Sequence, residues 1–393
     1  MAQAAQELVN AVLRQAVKNH TAEVVQDLIE KHGCNPNQTT SVGGTLLHEV
    51  ALHGNQAQAL RIAKLLVSHG VQATQEDKSR RTAMFPAAKA GNIQLCEFLL
   101  GQGCSVDHKD LGHQSPLFYS SRHGHVDLSQ LLLTRGADLN AADSNGYTPV
   151  FWAAHDDRVN MMKFLVEKGA NPKILAKNGK SLLFSATGGA AAYALELGCD
   201  PQQQDQLGQT PIFRAVKEDD PQKVKLLVNN GADVDAQDKI GQTSLFYAAN
   251  LGLKEMVTLL CSHLKASTLH RDMKGFSAKE YAKQHSKATN LAACTKILQA
   301  HETKQRLAAQ KELRRIARER ARKAAEERGG PSPPPASSSR KRPREEEQDV
   351  ARTKYYLAFF EEGQEIPWNS HKYTENFRQL SLRCPWVEPG PQR

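Results

Sequence analysis

The sequence predicts an all-α solenoid of stacked helix pairs joined by β-turn or hairpin loops. A basic helix, a linker and a small aromatic-rich C-terminal segment follow it. Three observations predict the solenoid. A turn opened by Asp, written Asp-x-x-Gly at Asp143, Asp205 and Asp238, restarts at a fixed interval, with Asp77, Asp110 and Asp143, and again Asp205 and Asp238, each 33 residues apart. Thr or Ser, often followed by Pro, opens a short helix after each turn, as at Thr148-Pro149 and Thr210-Pro211. A second helix then carries apolar residues at helical spacing, such as Val224, Leu226, Leu227 and Val228, and Gly231 stops it.

Each element has a physical reason. The Thr hydroxyl is expected to cap free N–H groups at the helix start, and Pro suits the first helical turn. Gly after the second helix fits the left-handed backbone that ends a helix. One such unit cannot bury its apolar face alone, so stacked neighbours form the core. On these residues, residues 4–300 resemble an ankyrin-repeat array of about nine units. The resemblance implies a concave binding face built from turn tips and the exposed side of each first helix.

Along the chain, the first unit is a divergent cap with helices around Ala16-Val17 and Val24 to Ile29, closed by Gly33. The second unit alone keeps the ankyrin-like His, as His48, and carries four extra residues, expected in the loop or first turn around Gln56 to Leu60. Units three to five run at the regular period. The sixth, from Ser181, is four residues short at Gly188-Gly189. Because Gly disfavours helix, a truncated or poorly joined pair is expected there, a weak seam at which the array melts in parts. Units seven and eight resume the pattern, and a ninth, from Asp272, has a polar second helix that suits a C-terminal cap. The fourth motif position, usually His, is Phe85, Phe118, Phe151, Phe184, Phe213 and Phe246, expected as an inter-repeat packing ladder.

Beyond the array, residues 301–328 are filled with strong helix formers, with Leu307, Leu313 and Ile316 too sparse for a coiled-coil seam. This stretch reads either as a solvated helix laced by charge pairs or as a basic helix that contacts nucleic acid or an acidic partner. From Glu302 to Arg344 there are 14 Lys/Arg against 5 Asp/Glu, so the chain's formal charge of +9 resides in that segment. Residues 329–350 form a linker by composition, ending in the basic cluster Arg340, Lys341, Arg342 and Arg344, which resembles a nuclear localisation signal. A nuclear importer is the partner this implies, and the nucleus is expected over the cytoplasm. Residues 351–393 hold Tyr355, Tyr356, Phe359, Phe360, Trp368, Tyr373, Phe377 and Trp386, with a strand and a capped helix expected. This segment either folds back on the array or docks a partner.

The function classes narrow accordingly. There is no P-loop, nucleophile elbow or G-x-G-x-x-G after a strand, so no enzyme is expected. No apolar run approaches a membrane span, and the N-terminus lacks a secretion signal, so an intracellular chain is expected. The seven cysteines are dispersed without a C-x-x-C pair and read as reduced, buried small hydrophobes. Cys104, His108, His113, His123 and His125 cluster in number but lack a metal-ligand spacing, so no metal and no cofactor is expected. Carried over residue by residue, the fifth and eighth motif positions place Tyr119, Arg122, Trp152, His155, Arg214, Lys217 and Tyr247 on the concave face as an aromatic and basic strip. Tyr, Trp and Arg dominate interface hot spots, so a protein partner is expected there, with no small-molecule substrate. The alternative is nucleic-acid contact through the helix at 302–328.

Overall fold

The computed structural model describes residues 2–19, 21–52 and 56–327. The linker, the basic cluster at Arg340 to Arg344 and the aromatic segment at 351–393 lie outside the described residues, with the strand and helix expected there. Among the described residues the secondary structure is helical, with three isolated antiparallel bridges such as Gln237 with Thr243 at the necks of turns.

The helices come in pairs. Units one to three contain α1 (Ala2–Lys18) and α2 (Ala22–Glu30), α3 (Leu46–Leu52) and α4 (Gln56–Ser68), and α5 (Met84–Ala90) and α6 (Ile93–Gly101). Units four to six contain α7 (Pro116–His123) and α8 (Val126–Thr134), α9 (Pro149–His155) and α10 (Val159–Glu167), and α11 (Leu182–Ser185) and α12 (Gly188–Glu196). Units seven to nine contain α13 (Pro211–Lys217) and α14 (Pro221–Asn229), α15 (Ser244–Asn250) and α16 (Lys254–Thr258), and α17 (Ala278–His285) and α18 (Leu291–Glu327). First helices pack on neighbouring first helices and second on second, giving two layers. The extra residues of unit two add a turn of helix, since α4 has 13 residues where α6 has nine.

Outside units two and six, where Thr40 and Ala176 stand at the position, each turn is organised by its Asp. Asp205 Oδ1 accepts from the backbone N–H groups of Leu207 and Gln209, at 2.8 and 3.0 Å. Asp110, Asp143, Asp238 and Asp272 do the same two and four residues on. This is the hydrogen-bonding habit that makes Asp a turn residue. The turn position is left-handed, occupied by Arg80 and His113 in units three and four, but in unit seven it needs Gly: Gly208 has φ +76°, and an added Cβ would meet the backbone of Lys239 in the next unit. Consecutive tips are joined by one backbone bond each. Leu111 N–H donates to Ser79, Ser144 to Gly112, Lys177 to Asn145, Gln206 to Asn178, Lys239 to Leu207 and Met273 to Ile240.

That ladder passes unbroken through unit six, where a weak seam is expected. The first helix of the unit is indeed cut to four residues. The Gly pair does not break the second helix, however, but begins it. Gly188 has φ +49°, and a Cβ on it would overlap the Asp157 carboxylate. Asp157 Oδ1 accepts from Ala190 N–H at 2.7 Å, so unit five caps the helix of unit six. The core divides elsewhere. One buried cluster runs from Leu13 to Ala137 and another from Val150 to Leu298. Between them lie the fully buried Ser120, Ser121 and Ser129, where other units have Ala or larger apolar groups.

The six Phe are fully buried and form the expected ladder. They have a cost that the sequence reading did not assign. In unit two, His48 Nδ1 accepts from Thr45 N–H and pairs with the Thr45 hydroxyl, while Nε2 donates to Arg81 O of the next unit at 2.8 Å. Phe offers no such acceptor. The hydroxyls of Thr82, Ser115, Thr148, Ser181, Thr210 and Thr243 are buried without a hydrogen-bond partner. Nor do Thr148, Thr210 and Thr243 cap their helices by side chain, contrary to expectation. Asp238 to Asp272 is 34 residues, one more than the regular interval, and a π turn at Leu259–His263 absorbs the insertion.

Met1–Arg306 forms one compact unit, and Leu307 opens a second. The second helix of the ninth repeat and the expected basic helix are a single 37-residue helix, α18. Cys294 and Leu298 of α18 are buried, whereas Leu307 and Leu313 are 52% and 62% exposed, so those leucines form no coiled-coil seam among the described residues.

Candidate partner-binding face

The fifth-position aromatic side chains are held by the same Asp residues that shape the turns. Tyr119 OH donates to Asp110 Oδ2 at 2.8 Å, Trp152 Nε1 to Asp143 Oδ2 at 3.2 Å, and Tyr247 OH to Asp238 Oδ2 at 2.9 Å. One carboxylate thus fixes a turn through one oxygen and an aromatic ring through the other. Tyr119 and Tyr247 also pack edge-on against the Phe of the preceding unit, with centroids 5.4 Å from Phe85 and 5.7 Å from Phe213. Burial and the Asp110 hydrogen bond push the Tyr119 phenol up to about 12. Burial and Asp238 raise Tyr247 in the same direction. Both phenols therefore remain protonated donors at neutral pH.

Cations from the preceding unit lie over two of these rings. The Arg122 guanidinium stands 4.7 Å from the Trp152 ring, and Lys217 Nζ 4.2 Å from the Tyr247 ring. Arg122 Nε also donates to Asp156 Oδ2 at 2.9 Å, and His155 Nδ1 lies 2.5 Å from Asp156 Oδ1. Burial alone would raise the Asp156 carboxyl, but the hydrogen bonds from His155 and Arg122 outweigh it and hold the group below its ordinary range. Lys217 donates to Gln209 Oε1 at 2.9 Å, and burial of its ammonium against the ring lowers its pKa. Arg214 instead pairs with Glu218.

The expected strip is thus two clusters. Arg122, Trp152 and His155 join across units four and five through the Arg122–Trp152 and Trp152–His155 contacts, the latter at 5.7 Å between ring centroids, and Tyr119 lies on the same helix as Arg122. Lys217 and Tyr247 join across units seven and eight, with Arg214 three residues before Lys217 on the same helix. Between the clusters, the fifth position of unit six is Ser185, buried on the short helix α11.

Two features were missed in the sequence. Tyr281 continues the second cluster, packing on Phe246 at 6.0 Å and stacking on His285 at 4.3 Å. Its position after Ser277 in the ninth unit was a legible signal. A concavity of 130 Å³ opens over units two to four, lined by His48, Glu49, Arg81, Pro86, Lys89 and Tyr119 among others. It escaped notice because units two and three have Glu49 and Pro86 where units four and five have Tyr119 and Trp152.

Four side chains of the Cys/His set are held by backbone carbonyls. Cys104 Sγ donates to Ala73 O, His108 Nε2 to Arg80 O, His123 Nδ1 to Tyr119 O and His125 Nε2 to Lys89 O, so each is engaged by a backbone carbonyl. No group of potential ligands close enough to hold a metal occurs among the described residues. The described cysteines are buried, and burial pushes the Cys104 thiol up to about 11 and Cys261 to about 12. No helix among the described residues is long and apolar enough to cross a membrane.

A model of ankyrin repeats in three copies matches residues 13–110, 87–176 and 182–272. The chain belongs to the ankyrin repeat family. Comparison with curated proteins gave no match. Ankyrin repeats are generally protein–protein interaction modules, and the ring-and-cation clusters on the first helices have the residue types that serve such contacts.

Proposed function

We propose that this ankyrin repeat chain is a non-enzymatic adaptor that grips a protein partner on the concave face of the array. Tyr119, Arg122, Trp152 and His155 form one subsite, and Arg214, Lys217 and Tyr247 a second. The observation that carries this reading is the locking of each aromatic by a turn Asp, with a cation set over the rings of Trp152 and Tyr247. Side chains already held in place lose little freedom on binding, so more of the contact energy appears as affinity. The test is a pull-down with the full chain beside its Trp152→Ala variant. Specific partners should drop out with the variant, and a partner set unaltered by it sinks the reading. The basic cluster Arg340, Lys341, Arg342 and Arg344 supports a nuclear location through an importer. Replacing its four cations with Ala should shift a fluorescent fusion toward the cytoplasm.

A second reading is supported by α18, where Lys311, Arg314, Arg315, Arg318 and Arg322 line one side of the helix together with Glu319, which pairs with Arg315. This basic stripe spans roughly 16 Å at 1.5 Å per residue, a spacing suited to phosphates. Nucleic-acid binding through it should fall steeply with salt and vanish when Arg314 and Arg318 become Ala. The concave-face complex should survive that change.

A further inference from the structure

The turn tips of the last three units carry an exposed apolar residue each: Leu207 at 61%, Ile240 at 50% and Met273 at 78% exposure. Elsewhere such tips are isolated. Val42 and Leu111 are exposed, but Lys78-Ser79-Arg80 separates them, and the tips of units five and six carry Ser144-Asn145 and Lys177-Asn178. Single exposed apolar residues are ordinary on any surface, whereas a run on three consecutive units is a ridge. The backbone bonds from Lys239 to Leu207 and from Met273 to Ile240, at 2.9 and 3.0 Å, fix these tips relative to one another.

The charge beside the ridge has one sign. Lys239 and Lys274 stand on the tips of units eight and nine and Lys177 on the adjoining tip of unit six, and their ammonium groups make no ion pair among the described residues. The nearby carboxylates are already committed. Asp205, Asp238 and Asp272 are buried in the turns, Glu218 pairs with Arg214, and Glu280 pairs with Arg271. Neighbouring stacked units stand about 10 Å apart. A helix advances about 10.5 Å in seven residues and returns them to one face.

From this we propose that the ridge of Leu207, Ile240 and Met273 docks an acidic amphipathic helix of a protein partner. Apolar side chains at a seven-residue interval meet the three tips, and its carboxylates meet Lys177, Lys239 and Lys274. The ridge uses none of the residues of the ring-and-cation clusters, so it stands or falls apart from them.

The test is fluorescence anisotropy on the full chain with a labelled helical peptide of about 18 residues, rich in Glu and Ala, with Leu at the seven-residue interval. A Lys-for-Glu counterpart serves as control. The acidic peptide should bind and the basic one should not. Ile240→Ser, at an exposed tip where folding is undisturbed, should weaken binding about tenfold, as should Lys239→Glu. Trp152→Ala should leave it unchanged, which separates this surface from the concave-face reading. Failure of the acidic peptide to bind better than the basic one overturns the proposal, as does full binding by Ile240→Ser. Tighter binding by a proline-rich peptide with Leu at every third residue, whose repeat is about 9 Å, overturns the choice of a helix.

Discussion

Replacing Lys223 with Met should make the array more stable at neutral pH, and the gain should fade as pH rises. Lys223 occupies the third position of α14, where other second helices have Leu95, Leu128, Met161 and Met256. It is 3% exposed, and its Nζ lies 3.4 Å from Phe184 O, a carbonyl near the end of the shortened helix α11. Truncation of α11 thus leaves a carbonyl that a lysine from the next unit meets. Burial lowers the ammonium to about 8, with Glu218 opposing that shift. An unfolded lysine titrates near 10.4, so the folded state disfavours the charge by roughly two units, or about 3 kcal/mol. The sign follows directly. A depressed folded pKa means the unfolded chain binds more protons between pH 8 and 10.5. Stability therefore rises with pH across that window and is lowest below 8. Met removes the buried charge and also the weak carbonyl contact, so a net gain of about 1–3 kcal/mol is expected at pH 7. Urea unfolding followed by far-UV circular dichroism at pH 7 and pH 10 measures it. If Lys223→Met lowers the midpoint equally at both pH values, the lysine is a stabilising strut and the reasoning fails.

Three further outcomes follow from the same packing. Ser121 is fully buried without a partner where other units have Ala88, Ala154 and Ala249, so Ser121→Ala should stabilise by about 1 kcal/mol in urea unfolding. Gly188→Ala should destabilise by about 1–2 kcal/mol through its left-handed φ, with the Asp157 clash added. Gly189→Ala, whose backbone is ordinary, should cost less, and equal effects at the two glycines would contradict the close approach. His48 is held neutral because burial lowers its pKa, with the bond to Arg81 O opposing. Its contribution is therefore complete above about pH 6.5 and is lost as pH falls toward the folded value. The urea midpoint of wild type should fall more between pH 7 and pH 5 than that of His48→Phe, and parallel slopes would refute this.

The turn, the helix pair and the period were legible because they are local. Asp205, Gly208, Pro211 and Gly231 each satisfy a constraint within a few residues of themselves, and that constraint repeats. The Phe ladder was legible for the same reason, being one residue type at one motif position. What the ladder costs was not legible, since the Thr hydroxyl loses its partner only when the fourth position and the stacked neighbour are seen together. The candidate site was half legible. Tyr119, Trp152 and Tyr247 fell where the motif put them, but their division into two clusters depends on Ser185 and the shortened α11.

The amino-acid sequence alone determined that this chain is an ankyrin array with a basic helix after it, because repeat period and helix signals are properties of neighbouring residues. Tertiary structure alone decided that Gly188 starts a helix rather than ending the stack. It also set Lys223 to face a carbonyl 39 residues away. In both cases the partner belongs to another unit. Distance along the chain gives no hint of it, and only the stacking of one unit on the next brings the groups into reach.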